Sequence, residues 1–303
     1  MDIHRLEVLR ELAERGTVTA VAQALALTPS AVSQQLKILE REAGLPLTER
    51  SGRGLALTPA GRVLAERAID VAVALQRVES SWAEYRDSPR GEVSISTFPT
   101  GGMMLLPGLL TRLADTPGLR LVVTDQDPNQ PDFAALTASY DVVLADSGGV
   151  TASWRERQLE TVELMREPLD VALPEAHPLA ARASLSPDDV ISEPWIGVPV
   201  DFPFDRILTS LESLTGHPAD VVQRIGDNGI VEELVAAGHG LAILPRYTTR
   251  DHGNGLVTRP LRGMRSERVI WALMRPDTAV RPSVRLVVDA LRAEAAAFVA
   301  ARS

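Results

Sequence analysis

The chain has 303 residues, 45% of them hydrophobic, and a formal charge of −9, enough to bury the cores of more than one domain. It contains no cysteine, which excludes disulfides, thiolate metal sites, cysteine nucleophiles and direct thiol redox sensing. The acid is unevenly placed: residues 1–62 carry eight basic side chains (Arg5, Arg10, Arg15, Lys37, Arg41, Arg50, Arg53, Arg62) against seven acidic ones (Asp2, Glu7, Glu11, Glu14, Glu40, Glu42, Glu49), net +1, leaving −10 for the remainder.

A nucleic-acid reader of this composition depends on local placement of a few cations, while the acidic bulk discourages non-specific binding. Met1 to Glu7 carries charges of both signs with no apolar segment behind it, and no later run approaches the roughly 18 apolar residues of a membrane span. The expectation is a cytoplasmic protein without membrane contact.

Ile3, Leu6, Leu9 and Leu12 recur with charged residues between them, predicting an amphipathic helix over 3–15 that stops at Gly16. Thr19 then opens a short alanine-rich helix, Ala20 to about Ala26. Thr28 and Pro29 are a cap and a first helical position, and Gly44 is a left-handed stop, so residues 29–43 form a third helix. At about 100° per residue Val32, Leu36, Leu39 and Ala43 share one sector. Ser30, Ser33, Gln34, Lys37 and Arg41 gather roughly opposite. Two helices joined by a tight turn, the second polar on its outer face, make a helix-turn-helix.

Two short alternating segments, Leu45–Arg50 and Leu55–Thr58, flank Ser51-Gly52-Arg53-Gly54 and predict a hairpin wing, with Arg53 at its tip and Arg50 at its base. Each arginine alone reads as a solvated charge; beside a helix-turn-helix it reads as a phosphate or minor-groove contact. Thr58-Pro59 repeats the cap-plus-proline signal and begins a helix to about Asp87, in which Leu64, Ala68, Val71, Leu75, Val78, Trp82 and Tyr85 recur at heptad spacing. A rod of about 40 Å follows from 1.5 Å per residue, and its stripe suits pairing with a second copy.

From Glu92 strands alternate with helices: Val93–Thr97, a helix near Thr100, Leu121–Thr124, Asp141–Ala145, Leu169–Leu173, Trp195–Val198, Ala219–Ile225, a helix over Asn228–Ala237, Leu241–Leu244, Val269–Met274 and a final helix Ser283–Ala300. The alternation predicts a mostly parallel sheet covered by helices, in two units with a cleft between them. Asp188-Asp189 after Ser186-Pro187 reads as first-turn charge on a short helix. The five histidines, His4, His177, His217, His239 and His252, show no ligand spacing. GxSxG, GxGxxG, P-loop and HExxH motifs are all missing, and no metal or cofactor is expected.

The chain resembles the LysR-type transcriptional regulators over nearly its whole length. The resemblance rests on Val21-Ala22-Gln23-Ala24-Leu25, Thr28 to Glu40, Leu47 to Arg50, and Arg53-Gly54 with Leu57-Thr58-Pro59-Ala60-Gly61. In the second half it rests on Phe98-Pro99-Thr100, Leu105-Leu106-Pro107, Asp141 to Leu144 and Leu234 to Pro245. It implies an N-terminal all-α winged helix-turn-helix (1–58), a linker and dimerisation helix (59–90), and a C-terminal α/β effector module (91–303). The module comprises two periplasmic-binding-protein-like subdomains, 91–165 with 266–303, and 166–265. Relative to the usual pattern, Pro29 stands where glutamine is frequent, Gln34 where arginine is, and Thr48 where phenylalanine is; Gly229 replaces a hydroxyl residue. The first three departures leave the preferred half-site open, and the fourth implies one ligand hydrogen bond fewer at the start of its helix.

The implied DNA contacts are Thr28, Ser30, Ser33, Gln34, Gln35, Lys37, Arg41, Arg50 and Arg53, on double-stranded DNA with an interrupted inverted repeat, read by a homodimer or homotetramer. Effector contacts are assigned to Phe98, Pro99, Thr100, Gly101, Asp127, Asp146, Ser147, Val200, Phe202, Asn228 and Gly229. Free N–H groups at Thr100-Gly101 and Asn228-Gly229 suit an anion, and Asp127 or Asp146 suits an ammonium, so the expected effector is a small carboxylate or amino-acid-like molecule. Turn capping explains Asp127-Pro128-Asn129 at least as well. The second reading is a small-molecule binding or interaction protein without sequence-specific DNA function; an enzyme ranks third.

Overall fold

The computed structural model describes residues 1–51, 54–85, 91–126, 133–200, 202, 204–250, 253 and 255–302. Its N-terminal part opens with α1 (Ile3–Arg15), α2 (Val18–Ala24) and α3 (Pro29–Ala43). Each start is capped by a side-chain oxygen: Asp2 accepts from His4 N at 2.9 Å, Thr17 from Ala20 N at 3.2 Å and Thr28 from Ala31 N at 3.1 Å. Such caps stabilise a helix by about 1 kcal/mol each. The cap of α2 is Thr17 rather than Thr19, which starts that helix two residues earlier than its alanines suggest. Gly44, at φ 70°, ends α3.

The wing is β1 (Thr48–Ser51) paired antiparallel with β2 (Gly54–Leu57), Thr48 opposite Leu57. Thr58 then accepts from Gly61 N at 3.0 Å and donates to Pro46 O at 2.8 Å, opening α4 (Pro59–Tyr85). Leu9, Leu12, Val21, Val32, Leu36, Leu39, Leu47 and Leu57 meet in one core with Ala65 and Ala68 of α4. A Cβ on Gly61 would lie 2.0 Å from the Leu47 carbonyl oxygen, so the first turn of α4 rests backbone against backbone on the chain entering the wing.

That packing corrects the reading of the rod as one continuous pairing stripe. Ala68 is buried, and Leu64 and Val71 are half-buried, against the core of their own N-terminal unit, because the helical core needs a lid. Leu75, Val78 and Trp82 are exposed, joined by Val63 on an outer face.

Beyond residue 90 the elements are β3 (Gly91–Thr97), α5 (Pro99–Leu113), β4 (Leu119–Asp125), α6 (Phe133–Leu136), β5 (Val142–Ser147), α7 (Ala152–Glu156), β6 (Glu160–Pro174), α8 (Pro187–Val190) and β7 (Pro194–Gly197). They continue as α9 (Asp205–Thr215), β8 (Asp220–Arg224), α10 (Asn228–Ala236), β9 (Ala242–Pro245), β10 (Leu256–Arg259), β11 (Glu267–Met274), α11 (Pro276–Ala279) and α12 (Pro282–Ala300). α8 carries the expected acidic first turn, and the structure adds a capping box, with Asp189 accepting from Ser186 N.

The large sheet runs β10-β6-β11-β5-β3-β4, with β9 also on β6. It is mixed rather than mostly parallel. β3 is parallel to β4 and β5, but β11 is antiparallel to both β5 and β6. β11 slots between them only after the chain has returned from the second unit, and apolar runs in a sequence carry no mark of strand direction.

Two separate cores flank the cleft. Val93, Ile95, Leu105, Val142, Leu144, Met165, Ile270, Val284 and Leu291 belong to one, and Leu169, Val171, Trp195, Ile207, Leu211 and Leu241 to the other. β6 thus passes from one core to the other between Met165 and Leu169. The returning chain is tied to it there, Leu169 N donating to Ser266 O at 3.0 Å.

Candidate nucleic-acid interface and effector cleft

α3 turns Val32, Leu36 and Leu39 into the core and leaves Ser30, Gln34, Lys37 and Arg41 exposed. Its two serines are locally occupied: Ser30 Oγ lies 3.0 Å from Thr28 Oγ1, and Ser33 Oγ donates to Pro29 O at 2.9 Å. Gln34, Lys37 and Arg41 are the long donors presented outward. Gln35, one residue and about 100° further round, is instead held against α1, accepting from Arg5 Nε at 3.2 Å. That contact sets Gln35 apart from the exposed row, half-buried at the edge of the face that carries Gln34 and Lys37. Arg5 also pairs with Glu42. Arg50 is exposed on β1; Arg53 lies outside the described residues.

One acidic residue of α3 has a role that residue type alone conceals. Glu40 Oε1 accepts from Leu47 N at 3.0 Å and from Thr48 N and Thr48 Oγ1 at 2.9 Å each. The carboxylate therefore fixes the root of the wing to the helix beside it.

Between the two cores lies a cleft of 270 Å³ lined by Phe98, Pro99, Thr100, Met103, Asp146, Phe202, Phe204, Gly226, Asp227, Asn228, Gly229 and Arg268. Its floor is built on Arg268 of β11, 3% exposed. The guanidinium donates to Glu167 Oε2 through Nε at 2.8 Å and reaches the same oxygen through Nη2 at 2.6 Å. It also donates to Asp146 Oδ2 at 3.2 Å and Thr100 Oγ1 at 2.8 Å. The ring centroids of Phe98 and Phe204 lie 5.0 and 5.3 Å from its central carbon, within cation–π range. Burial opposes the charge of Arg268, but Glu167 and Asp146 outweigh it and hold the guanidinium protonated. Burial pushes the Asp146 carboxyl above its ordinary range, and the nearby Arg268 only partly offsets this.

The two helix starts at the cleft differ. α10 is capped, Asp227 Oδ1 accepting from Ile230 N at 2.9 Å. α5 has Phe98 at its cap position, which supplies no side-chain acceptor, so its first-turn N–H groups remain available beside Thr100.

Residues 3–62 match the model described as bacterial regulatory helix-turn-helix protein, lysR family, and residues 86–296 match the LysR substrate binding domain. The chain belongs to the LysR family. It is a LysR-type DNA-binding transcriptional regulator, similar at 27% identity over 246 residues to the regulator CysL of Bacillus subtilis, with 81% of each chain covered. OxyR of Escherichia coli, a DNA-binding transcriptional dual regulator, is 25% identical over 296 residues, covering 97% of this chain and 95% of its own. Among solved structures, a full-length OxyR variant from Pseudomonas aeruginosa superimposes with a TM-score of 0.64 at 19% identity, over 96% of this chain and 98% of that one. Full-length CbnR complexed with its target DNA gives 0.54 at 23%, over 97% and 100%. These relatives are regulators rather than enzymes.

Within this LysR-type module, Phe98, Pro99, Thr100, Asp146, Phe202, Asn228 and Gly229 all line the cleft. Three other assigned residues do not. Gly101 is buried beneath the Phe98 ring, Ser147 is buried with its hydroxyl donating to Gly149 O at 2.6 Å, and Val200 is exposed on a loop. Asp127 lies outside the described residues. Arg268, Phe204, Met103 and Asp227 were not legible as site residues; the one signal for Arg268 is a cation at the start of an otherwise apolar strand, Arg268-Val269-Ile270. Among the described residues no group of three or more histidine, aspartate or glutamate side chains could hold a metal ion, and no helix is long and apolar enough to cross a membrane.

Proposed function

We propose that this regulator reads DNA with the outer row of α3, as a pair of chains, under control of a small amino-acid-like or other carboxylate effector in the cleft. The supporting observation is the division of α3: its apolar side chains are spent on the core while Gln34, Lys37 and Arg41 face outward. Gln34 pairs both amide groups with an adenine edge, Lys37 and Arg41 reach guanine or phosphate, and Arg50 contacts the backbone from the wing. Thr28, Ser30 and Ser33 set the close approach of the helix start. The outer face of α4, Leu75, Val78 and Trp82, joins two copies, giving an interrupted inverted repeat as the target. CbnR, solved with its target DNA, supports this arrangement by similarity of fold.

The effector-binding unit comprises residues 91–165 and 266–303 as one lobe and 166–265 as the other. Its ligand carboxylate meets the uncapped start of α5 at Thr100, with Asp146 and Asp227 facing an ammonium. With no cysteine in the chain, the signal is bound rather than sensed by thiol oxidation.

A gel shift with the DNA upstream of the protein's own gene tests the reader; retention of the same shift by a Gln34→Ala, Lys37→Ala variant refutes it. Calorimetry with a panel of amino acids and small carboxylates tests the cleft, and a ligand that binds a Thr100→Val variant equally well refutes its placement.

A further inference from the structure

The seam between the N-terminal unit and the α/β module is charged where a folded chain would ordinarily place apolar side chains. Arg10 and Glu11 of α1 face Arg275 and Asp277, the residues that follow β11. Arg10 Nη1 lies 2.6 Å from Asp277 Oδ2, and Arg275 Nε lies 3.4 Å from Asp277 Oδ1. Arg275 Nη1 lies 2.8 Å from Glu11 Oε1, and Arg10 Nη2 lies 3.5 Å from that same oxygen. The four side chains close an alternating ring, two members from each unit, and their exposures are 10%, 5%, 12% and 18% for Arg10, Glu11, Arg275 and Asp277.

Further bonds lie around the ring. Arg15 pairs with Glu11 at 2.6 Å and donates to the Ala138 carbonyl of the module. Arg157 pairs with Glu14 across the seam, and Ser80 of α4 donates to Val280 O at 3.3 Å. Burial by itself would raise the carboxyls of Glu11 and Asp277, yet Arg275, with Arg15 for Glu11 and Arg10 for Asp277, holds both below their ordinary range.

An apolar seam tolerates sliding and rotation, because apolar contact is non-directional. A buried alternating ring does not: it adds little stability over packed apolar residues, but displacement separates opposite charges in a medium that cannot rehydrate them. We infer that the ring Arg10–Asp277–Arg275–Glu11 is an orienting clasp that fixes the angle at which the DNA-reading unit is held on the effector module. Its four members are positioning residues: they touch neither DNA nor effector. The inference rests on the seam alone and is independent of what fills the cleft.

The cysteine-free chain allows a direct test. Gln23→Cys and Asp115→Cys, both at exposed positions, introduce the only two thiols for spin labels, and labelled chains diluted into unlabelled ones report the distance within one chain by pulsed dipolar spectroscopy. The intact ring gives one narrow distribution. Arg275→Gln widens it at least twofold or adds a second maximum, whereas Arg275→Lys, which keeps the charge, stays narrow. A variant neutral at all four positions, Arg10→Met, Glu11→Gln, Arg275→Met and Asp277→Asn, leaves no unmatched charge within the ring, Arg15 keeping the Ala138 carbonyl as its acceptor, and widens the distribution likewise, with helix content retained. A distribution as narrow as that of the intact ring in either charge-removing variant overturns the clasp. So does loss of the fold in the fourfold neutral variant, since the ring would then serve folding rather than orientation.

Discussion

Thr48 is bonded twice to Glu40, its backbone N–H and its hydroxyl each donating to Glu40 Oε1 at 2.9 Å. With Leu47 N as a third donor at 3.0 Å, one carboxylate oxygen sets the wing against α3. Glu40→Ala leaves these donors without their acceptor and costs about 1–3 kcal/mol of stability; Glu40→Gln, which keeps an acceptor oxygen, costs less. Urea denaturation checks the order, and an unchanged midpoint for the alanine variant contradicts it.

Gln34 and Lys37 lie on the same exposed row of α3, and their losses differ in kind. Gln34→Ala costs about 1–3 kcal/mol at one base position and relaxes preference there, whereas Lys37→Ala weakens cognate and scrambled DNA alike and lowers the salt slope by about 1 if its partner is a phosphate. Titrations at several salt concentrations separate them. Equal loss on both DNAs for Gln34→Ala rules out its base contact.

Arg268→Met strands Glu167 and Asp146 in the floor of the cleft, where both are buried. The expected penalty is about 3–5 kcal/mol, the cost of an uncompensated buried charge. Replacing Arg268 and Glu167 together by methionine recovers part of it. Denaturant melts of the single and double variants decide, and a single variant as stable as the parent would show the charge to be solvated after all.

Asp146 gives a pH dependence of definite sign. Its folded-state pKa is raised, chiefly by burial, so the fold binds this proton more tightly than the unfolded chain does. The associated stability is full below the ordinary aspartate pKa of about 3.9 and is lost as pH rises through the raised value. Asp146→Asn has no such carboxyl, so its melting temperature gains on the parent's as pH increases from about 4. Parallel profiles would remove Asp146 from the balance.

Val78, 68% exposed on the outer face of α4, is the most exposed apolar side chain of the proposed pairing face. Val78→Glu places a charge in the proposed contact and shifts sedimentation toward the monomer at concentrations where the parent is paired. Because the side chain already faces outward, the helix content of the chain changes little.

The reading head was legible because local chemistry writes it twice: Thr28, Pro29 and Gly44 mark the ends of α3, and Val32, Leu36 and Leu39 mark its inner face. Gln35 escaped that logic, since its partner Arg5 is thirty residues away. In the module, apolar runs located most strands, but the antiparallel insertion of β11 and the helix α9 went unread. The cleft was half legible for the same reason. Thr100 and Asn228 announce helix starts, whereas Arg268 acquires its role only when β5, β6 and α5 deliver Asp146, Glu167 and Thr100 to it.

Gly61 leaves no room between α4 and the Leu47 carbonyl, where even a methyl group would sit 2.0 Å from oxygen. Head and rod therefore form a single casting with no joint at residue 61. In the proposed pair of chains the gap between the two N-terminal units follows the spacing of the rods, much as the jaws of a calliper follow its beam, and any adjustment of that gap has to begin further along the rod.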